Sequence, residues 1–411
     1  MFALALVFGG LIIGSASALS LKTTAERIKE HNYPVESHEV QTSDGYILTI
    51  FRIPYSPKLM NQNDTKPVAF LQHGLLSSSD AWILNGPDNA LAFLLADAGY
   101  DVWLGNTRGN AYSMRHLTIT NLLLPSFWDF TWNEMAVVDL PTMLDYVLLK
   151  SNQKALHYVG HSQGTTIFFV LMSEMPEYNA KIKTAHMLAP VVYMKNMKSR
   201  IVNLVGPMLG SPNLLAEVIG NTALGMSNDF IEKISSEACK SELLKPMCKN
   251  ILFLLTGWDL KFCNMTLLPA IMETHPSPSS CGQAIHYVQE HNSGTWSKYD
   301  YGFIGNYMKY NQLTPPCYSE KNVVAPVRLY YSDNDDFAAV EDVQKLISLL
   351  PNVVDSVRVP YPEFTHLDFL WATEVKTLLF DRIIEAANYY EKTGQQLQAP
   401  NQELVVPDDL N

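Results

Sequence analysis

Apolar residues in this chain gather into short runs, separated by longer stretches with helical spacing. Val68-Ala69-Phe70-Leu71-Gln72, Asp101-Val102-Trp103-Leu104-Gly105, Ala155 to Val159, Lys183 to Leu188, Val327 to Tyr331 and Val354 to Val359 are such runs. A short apolar run bounded by turn residues is what a strand buried on both faces looks like. Between the runs, Ala90 to Ala98, Glu134 to Leu149 and Thr165 to Met175 predict helices, and a last helix is predicted from about Leu367 to Tyr390. Gly99 ends the first of these, and Pro141 predicts a kink inside the second. Nearer the start, Val40 to Ile53 reads as strand, turn, strand, with Ser43-Asp44-Gly45 as the turn. Strands alternating with helices imply the α/β class: a mainly parallel central sheet with helices on both faces.

The rhythm breaks from about Asn196 to Lys309, where short helical apolar stretches such as Leu214 to Ile219 and Ile251 to Leu255 replace it. This region reads as an inserted helical cap, 196–309. It divides a core into a first part, 19–195, and a second part, 310–392, followed by a polar tail, 393–411, expected to be disordered. A chain of 411 residues suits that division, because single cores stop growing near roughly 250 residues. Residues 1–18 read as a signal peptide: Phe2 to Ile13 is apolar, and Ala16-Ser17-Ala18 is a small-x-small cleavage pattern. That run is shorter than the ~20 residues a membrane-spanning helix needs. No other stretch reaches that length, so no transmembrane segment is expected in the mature chain.

A formal net charge of −12 gives a surface that repels nucleic acid, and no Lys/Arg cluster offsets it. Five cysteines are present: Cys239, Cys248, Cys263, Cys281 and Cys317. An odd count in an exported chain leaves at least one thiol free. Cys239 and Cys248 are nearest in sequence, and a Cys263–Cys281 bridge stays open. No Cys-x-x-Cys or His-rich cluster suggests a metal site. Asn63-Asp64-Thr65 and Asn264-Met265-Thr266 are glycosylation sequons, at Asn63 and Asn264.

The candidate chemistry centres on Gly160-His161-Ser162-Gln163-Gly164, set between a predicted strand and a predicted helix. On such a sharp turn the serine is strained and its Oγ is exposed above the sheet. The following helix N-terminus favours developing negative charge. A serine needs a base, usually a histidine oriented by a carboxylate. In this fold class the order is Ser, then acid, then His. His366 is the single histidine beyond Asp335, and Asp333, Asp335 and Asp336 all follow the strand Val327 to Tyr331. The oxyanion donors are expected from the backbone N–H of Gln163 and from the loop His73-Gly74-Leu75-Leu76, at the N–H of Leu75. His73 precedes the serine and is assigned to shaping that loop.

Taken together, these pieces resemble the acid lipase family, which includes gastric and lysosomal acid lipases. The matching residues are Gly45-Tyr46, Leu71-Gln72-His73-Gly74-Leu75-Leu76, Asn106-Thr107-Arg108-Gly109-Asn110, Gly160-His161-Ser162-Gln163-Gly164-Thr165, Asn334-Asp335 and His366-Leu367-Asp368-Phe369. They recur in family order from about Tyr33 to Trp371. The resemblance implies an α/β-hydrolase core, a helical cap with a lid at about 225–256, and a Ser162–Asp335–His366 triad with Leu75 and Gln163 at the oxyanion. It implies that Cys239 and Cys248 form the cap disulfide. Thr256 stands where gastric lipase carries a third cap cysteine.

The expected reaction is acyl transfer to Ser162 from a lipid ester at a lipid–water interface, with triacylglycerol first and sterol ester second. It calls for no metal or organic cofactor. Competing readings are a non-catalytic lipid carrier on the same scaffold, which would be expected to lose a triad member, and an esterase for small soluble esters. The secretory leader places the chain outside the cell or in the lysosome.

Overall fold

The computed structural model describes residues 22–199, 220–224, 261–262 and 264–398. The leader, Cys239, Cys248, Cys263, Thr256, the lid at 225–256 and the end of the tail lie outside the described residues.

The main sheet contains β1 (Glu36–Gln41), β2 (Tyr46–Ile53), β3 (Val68–Gln72), β4 (Asp101–Gly105), β5 (Arg115–His116), β6 (Leu156–His161) and β7 (Ile182–Leu188). After β7 the chain leaves it. A small two-stranded ladder, β8 (Ala223–Leu224) with β9 (Ser279–Ser280), lies in the intervening insertion. The chain returns as β10 (Val327–Tyr331) and β11 (Val353–Arg358). The spatial order is β1-β2-β4-β3-β6-β7-β10-β11, with β5 beside β2. β1, β2 and β5 pair antiparallel, and every pairing from β4 to β11 is parallel. The turn inside the first hairpin is the predicted one, with Gly45 at φ 102°.

Burial explains why the central strands read as mainly apolar runs. β3, β4, β6 and β10 are buried at every position, and the few polar side chains on them, such as Gln72, Asp101, His157 and Arg328, are buried too. β1 alternates exposed and half-buried positions instead. β3 and β6 are neighbours at the sheet centre, yet the chain leaves them toward opposite edges. Loops at the carboxyl ends of such strands part there and leave a crevice.

Three elements depart from the expected pattern. The helix that carries Pro141 is not regular throughout. A π-turn, Met135–Asp139, precedes the proline, with the Leu140 N–H donating to the Met135 carbonyl, and a regular helix runs on from Leu140 to Ser151. Proline supplies no N–H and crowds the carbonyl four residues back, so the wider turn relieves both problems. The last helix is likewise broken, into Asp368–Trp371, a π-turn Lys376–Phe380 and Asp381–Thr393. At the break, backbone groups bond elsewhere: the Thr373 N–H donates to the Phe262 carbonyl at 2.9 Å. The start of the tail is ordered rather than free: Gln396 donates to the Lys183 carbonyl at 2.7 Å, and Arg328 bonds the Leu397 carbonyl.

In the insertion, helix Cys281–Ser293 packs against the core and buries Glu290, whose carboxylate oxygens have no hydrogen-bond partner among the described residues. Burial pushes this carboxyl well above the usual range. A carboxyl raised in the folded state stabilises fully below its unfolded value and loses that contribution as pH rises through the folded one. Glu290→Gln is therefore expected to raise the melting temperature, with a gain that grows from pH 4 to pH 8. Calorimetry across that range checks it; a gain independent of pH would sink the argument. Cys281, at the helix start, is a buried free thiol accepting from the Thr222 hydroxyl at 3.3 Å. Cys263, the other end of the bridge left open by the sequence, lies outside the described residues. Cys317 is an exposed free thiol.

Candidate active site

Ser162 sits between β6 and the helix Gln163–Glu174 with φ 53° and ψ −119°. This left-handed geometry is costly for a residue with a Cβ and persists only where surroundings over-determine it. Several bonds do so here. The Ser162 N–H donates to the Leu188 carbonyl at 3.0 Å, and its own carbonyl accepts from the Thr165 N–H at 2.8 Å and hydroxyl at 2.6 Å. Tyr158 Oη holds the Gly164 carbonyl at 2.7 Å. A Cβ on Gly164 would overlap the Gln72 carbonyl oxygen at the end of β3, so only glycine lets the helix approach that closely. The Ser162 side chain is left half-buried at the sheet's carboxyl edge.

Asp335 and His366 reach the same edge from β10 and β11. His366 Nδ1 donates to Asp335 Oδ2 at 2.7 Å. The other carboxylate oxygen accepts from the N–H groups of Phe337 and Ala338, at 2.8 and 2.9 Å. Burial alone would raise this carboxyl. His366 and the two N–H groups outweigh burial and hold it below its ordinary value, so it stays ionised. The three candidate aspartates separate cleanly: Asp333 pairs with Arg358 at 2.6 Å, and the Asp336 carbonyl takes the Lys198 N–H at 2.9 Å.

No hydrogen bond joins Ser162 Oγ to His366 Nε2 in the structure. Such contacts are commonly long in an unliganded site and tighten with substrate. What holds His366 nearby is a residue the sequence reading left without a role. His161, adjacent to Ser162, donates from Nε2 to the His366 carbonyl at 2.9 Å, with ring centroids 4.9 Å apart. Burial, and then the charge His366 can carry, push His161 down to about 3, so it stays neutral and remains a donor there. Asp368 accepts from the Thr365 N–H at 2.6 Å and closes the same loop.

The loop after β3 lies directly against the serine: a Cβ on Gly74 would fall 2.9 Å from Ser162 Cβ. Among the described residues, neither the Leu75 nor the Gln163 N–H has a hydrogen-bond partner. Both remain available as donors beside Ser162. His73 shapes this loop. Its Nδ1 donates to the Gly74 carbonyl at 2.8 Å, and its Nε2 accepts from Thr107 N at 3.3 Å and Asn110 Nδ2 at 3.1 Å. Burial lowers it to about 4, which keeps it neutral for both tasks.

The motif Asn106-Thr107-Arg108-Gly109-Asn110 gains a physical role here. Asn106 accepts from Ser79 N at 2.9 Å and Asn110 at 2.7 Å. Arg108 is buried, bonding Asp139 through its backbone N–H at 2.9 Å, Nε at 2.8 Å and Nη2 at 2.6 Å, and Asp44 through Nη1 at 2.6 Å. Its guanidinium stacks 4.1 Å from the Tyr46 ring centre. Burial would weaken its charge, but Asp139 and Asp44 more than compensate and raise it. These bonds join the loop after β4 to the π-turn and to the first hairpin.

Of the sequons, Asn63 is exposed in a turn, whereas Asn264 is half-buried, with Oδ1 accepting from the Thr266 N–H and hydroxyl. Among the described residues, no group of three or more His, Cys, Asp or Glu side chains could hold a metal ion, and no helix is long and apolar enough to cross a membrane.

A left-handed serine between a central strand and its helix, in a mainly parallel sheet, defines the α/β-hydrolase class. The chain matches the alpha/beta hydrolase fold family over residues 67–373 and the partial alpha/beta-hydrolase lipase region over residues 24–86. It is 46% identical to Lipase 3 of Drosophila melanogaster, covering 93% of this chain and 96% of that one. It is 41% identical to gastric triacylglycerol lipase of Bos taurus, over 88% and 89% of the two chains. Against lysosomal acid lipase/cholesteryl ester hydrolase of Macaca fascicularis the identity is 35%, over 92% and 94%. The protein belongs to the acid lipase family of α/β-hydrolases.

Proposed function

We propose that this protein is a secreted or lysosomal lipase that hydrolyses carboxylic esters of neutral lipids, triacylglycerol first and sterol ester second, through an acyl-enzyme on Ser162. The observation that carries the reading is the buried His366–Asp335 pair, 2.7 Å apart, held beside a strained serine. His366 takes the Ser162 proton as Oγ attacks the ester carbonyl. The Leu75 and Gln163 N–H groups receive the oxyanion. His366 then protonates the leaving alcohol, and water repeats the two steps to free the fatty acid. Asp335 keeps the His366 Nδ1 protonated and so leaves Nε2 as the base.

The insertion between β7 and β10 serves as the cap over this edge. Two observations favour lipid over a small soluble ester. The relatives above carry lipase names. Helix Gly302–Tyr310 also turns Phe303, Ile304, Tyr307 and Met308 outward, an apolar face suited to a lipid surface.

The test is an assay of emulsified triacylglycerol, a sterol ester and a short soluble ester at pH 4 to 8, with active sites titrated by an alkylphosphonate p-nitrophenyl ester. Hydrolysis of the emulsified lipids, with phosphonate found on Ser162, is the expected result. Titration without turnover of any ester would favour a lipid carrier. Turnover of the soluble ester alone would favour a small-ester esterase. Either outcome overturns the proposal.

A further inference from the structure

The proposed oxyanion donors come from chain segments that share no covalent frame. Leu75 lies in the loop after β3, and Gln163 opens the helix after β6. Their neighbours are strained: Leu76 has φ 56° and Ser162 has φ 53°. Catalytic donors must hold their places to about 0.5 Å. The structure shows one run of the insertion, His275 to Tyr287, bonded to both segments.

On the loop side, the Ser277 N–H donates to the Leu76 carbonyl at 2.7 Å, and Ser77 Oγ bonds His275 Nε2 at 2.8 Å. Ser277 Oγ accepts from the Ala111 N–H at 3.0 Å, which ties in the loop after β4 as well. On the helix side, Gln283 is fully buried, and its Oε1 accepts from Gln163 Nε2 at 2.6 Å. Gln283 Nε2 donates back within its own run, to Ser279 Oγ at 2.6 Å. One turn further along, Tyr287 Oη bonds Thr166 Oγ1 at 2.8 Å. The helix backbone also lies against the core, since a Cβ on Gly282 would fall 2.7 Å from the Phe130 carbonyl oxygen.

We propose that Gln283 is a positioning residue for ester hydrolysis: through Gln163 and the run His275–Tyr287 it fixes the spacing of the Leu75 and Gln163 N–H groups. The inference rests on the lipase reading above. Gln283 does not touch substrate. Its amide accepts from Gln163 and donates to Ser279 and Ser280, and these bonds relay the position of the run to the first residue of the nucleophile's helix. Ser277 fixes the other donor from the same run. The insertion is thus part of the frame of the catalytic site as well as its cover.

The full-length protein carries the test. Gln283→Met keeps length and volume and removes the amide's bonds to Gln163, Ser279 and Ser280. Its kcat per phosphonate-titrated site should fall by about 10- to 100-fold, less than or comparable to the loss of a whole oxyanion donor. KM for triacylglycerol should be little changed. Affinity for a trifluoromethyl ketone, whose hemiketal oxygen occupies the oxyanion position, should fall by the same factor as kcat. Gln283→Glu still accepts from Gln163, and when protonated still donates to Ser279. It should recover most of the activity at acid pH and lose it as pH rises. A merely structural role would reduce the number of titratable sites and leave kcat per site and ketone affinity unchanged; that result in Gln283→Met overturns the proposal. Should Gln283→Met not fold, Gln283→Glu decides alone: equal kcat per site at pH 5 and pH 8, relative to wild type, overturns it. Failure of the lipase reading looks different, because the wild type itself would turn over no lipid ester.

Discussion

Ser162→Ala is expected to lower kcat on emulsified triacylglycerol by on the order of 10⁵- to 10⁶-fold, in line with removal of a serine nucleophile in other hydrolases. The variant should unfold at nearly the wild-type temperature. Alanine bears the same positive-φ strain as serine, and the bonds that fix the turn use the backbone of residue 162 rather than its hydroxyl. The proposed oxyanion donors and the exposed apolar face of helix Gly302–Tyr310 remain, so the variant should still bind the emulsion. A residual rate above that of water is also expected, because removing a triad member usually leaves roughly 10³- to 10⁴-fold catalysis. Steady-state rates on purified protein, paired with a melting curve, check both halves. Wild-type turnover in the variant would remove Ser162 from the mechanism. A matching loss of folded protein would mean that the rate reported stability.

Arg108→Met should have the largest effect on stability, at about 3–5 kcal/mol. Arg108 and Asp139 are both buried, with 2% and 0% side-chain exposure, and removing the guanidinium strands the carboxylate. Asp139 would then lose its side-chain partner and keep only the Arg108 backbone N–H. A stranded buried carboxylate takes up a proton. Burial already holds the Asp139 carboxyl above its ordinary value despite Arg108, and without the guanidinium it would rise further, so more of the stability it contributes would be lost as pH climbs. The gap between wild type and variant should therefore widen from pH 4 to pH 8. Urea unfolding at both values measures it. In a double variant, Asp139→Leu should restore much of the loss, because no buried charge is then left alone; Asp44, the other partner of Arg108, is exposed to solvent. A pH-independent gap, or no rescue, would show that the lost packing against Tyr46 is the dominant contribution.

These two residues mark how far the sequence could be read. Ser162 was legible because its signal is local: a buried run, a small–x–Ser–x–small turn and a helix lie within one stretch of chain. His366 was legible by order along the chain. Asp335 could be separated from Asp333 and Asp336 only by resemblance, because three aspartates around one turn look alike until their partners are seen. The roles of Arg108, His161 and Gln283 were not legible. Each acts through a partner far along the chain: Asp44 for Arg108, His366 for His161 and Gln163 for Gln283. The breaks in the last helix escaped for a related reason. Apolar spacing runs through Thr373, and only the tertiary bond to Phe262 draws its N–H out of the helix.

The sequence by itself determined the α/β class, the order of strands and helices and the strand–serine–helix turn proposed to carry the nucleophile, since periodicity and turn chemistry are written in neighbouring residues. Only the tertiary structure decided which carboxylate meets His366, that Cys281 is a free thiol, and that Arg108 is a buried bolt between loops. It alone brought the run His275–Tyr287 onto the loop and the helix that carry the proposed oxyanion donors. Those outcomes depend on pairings between distant segments, and such pairings are set by how the whole sheet and its insertion pack.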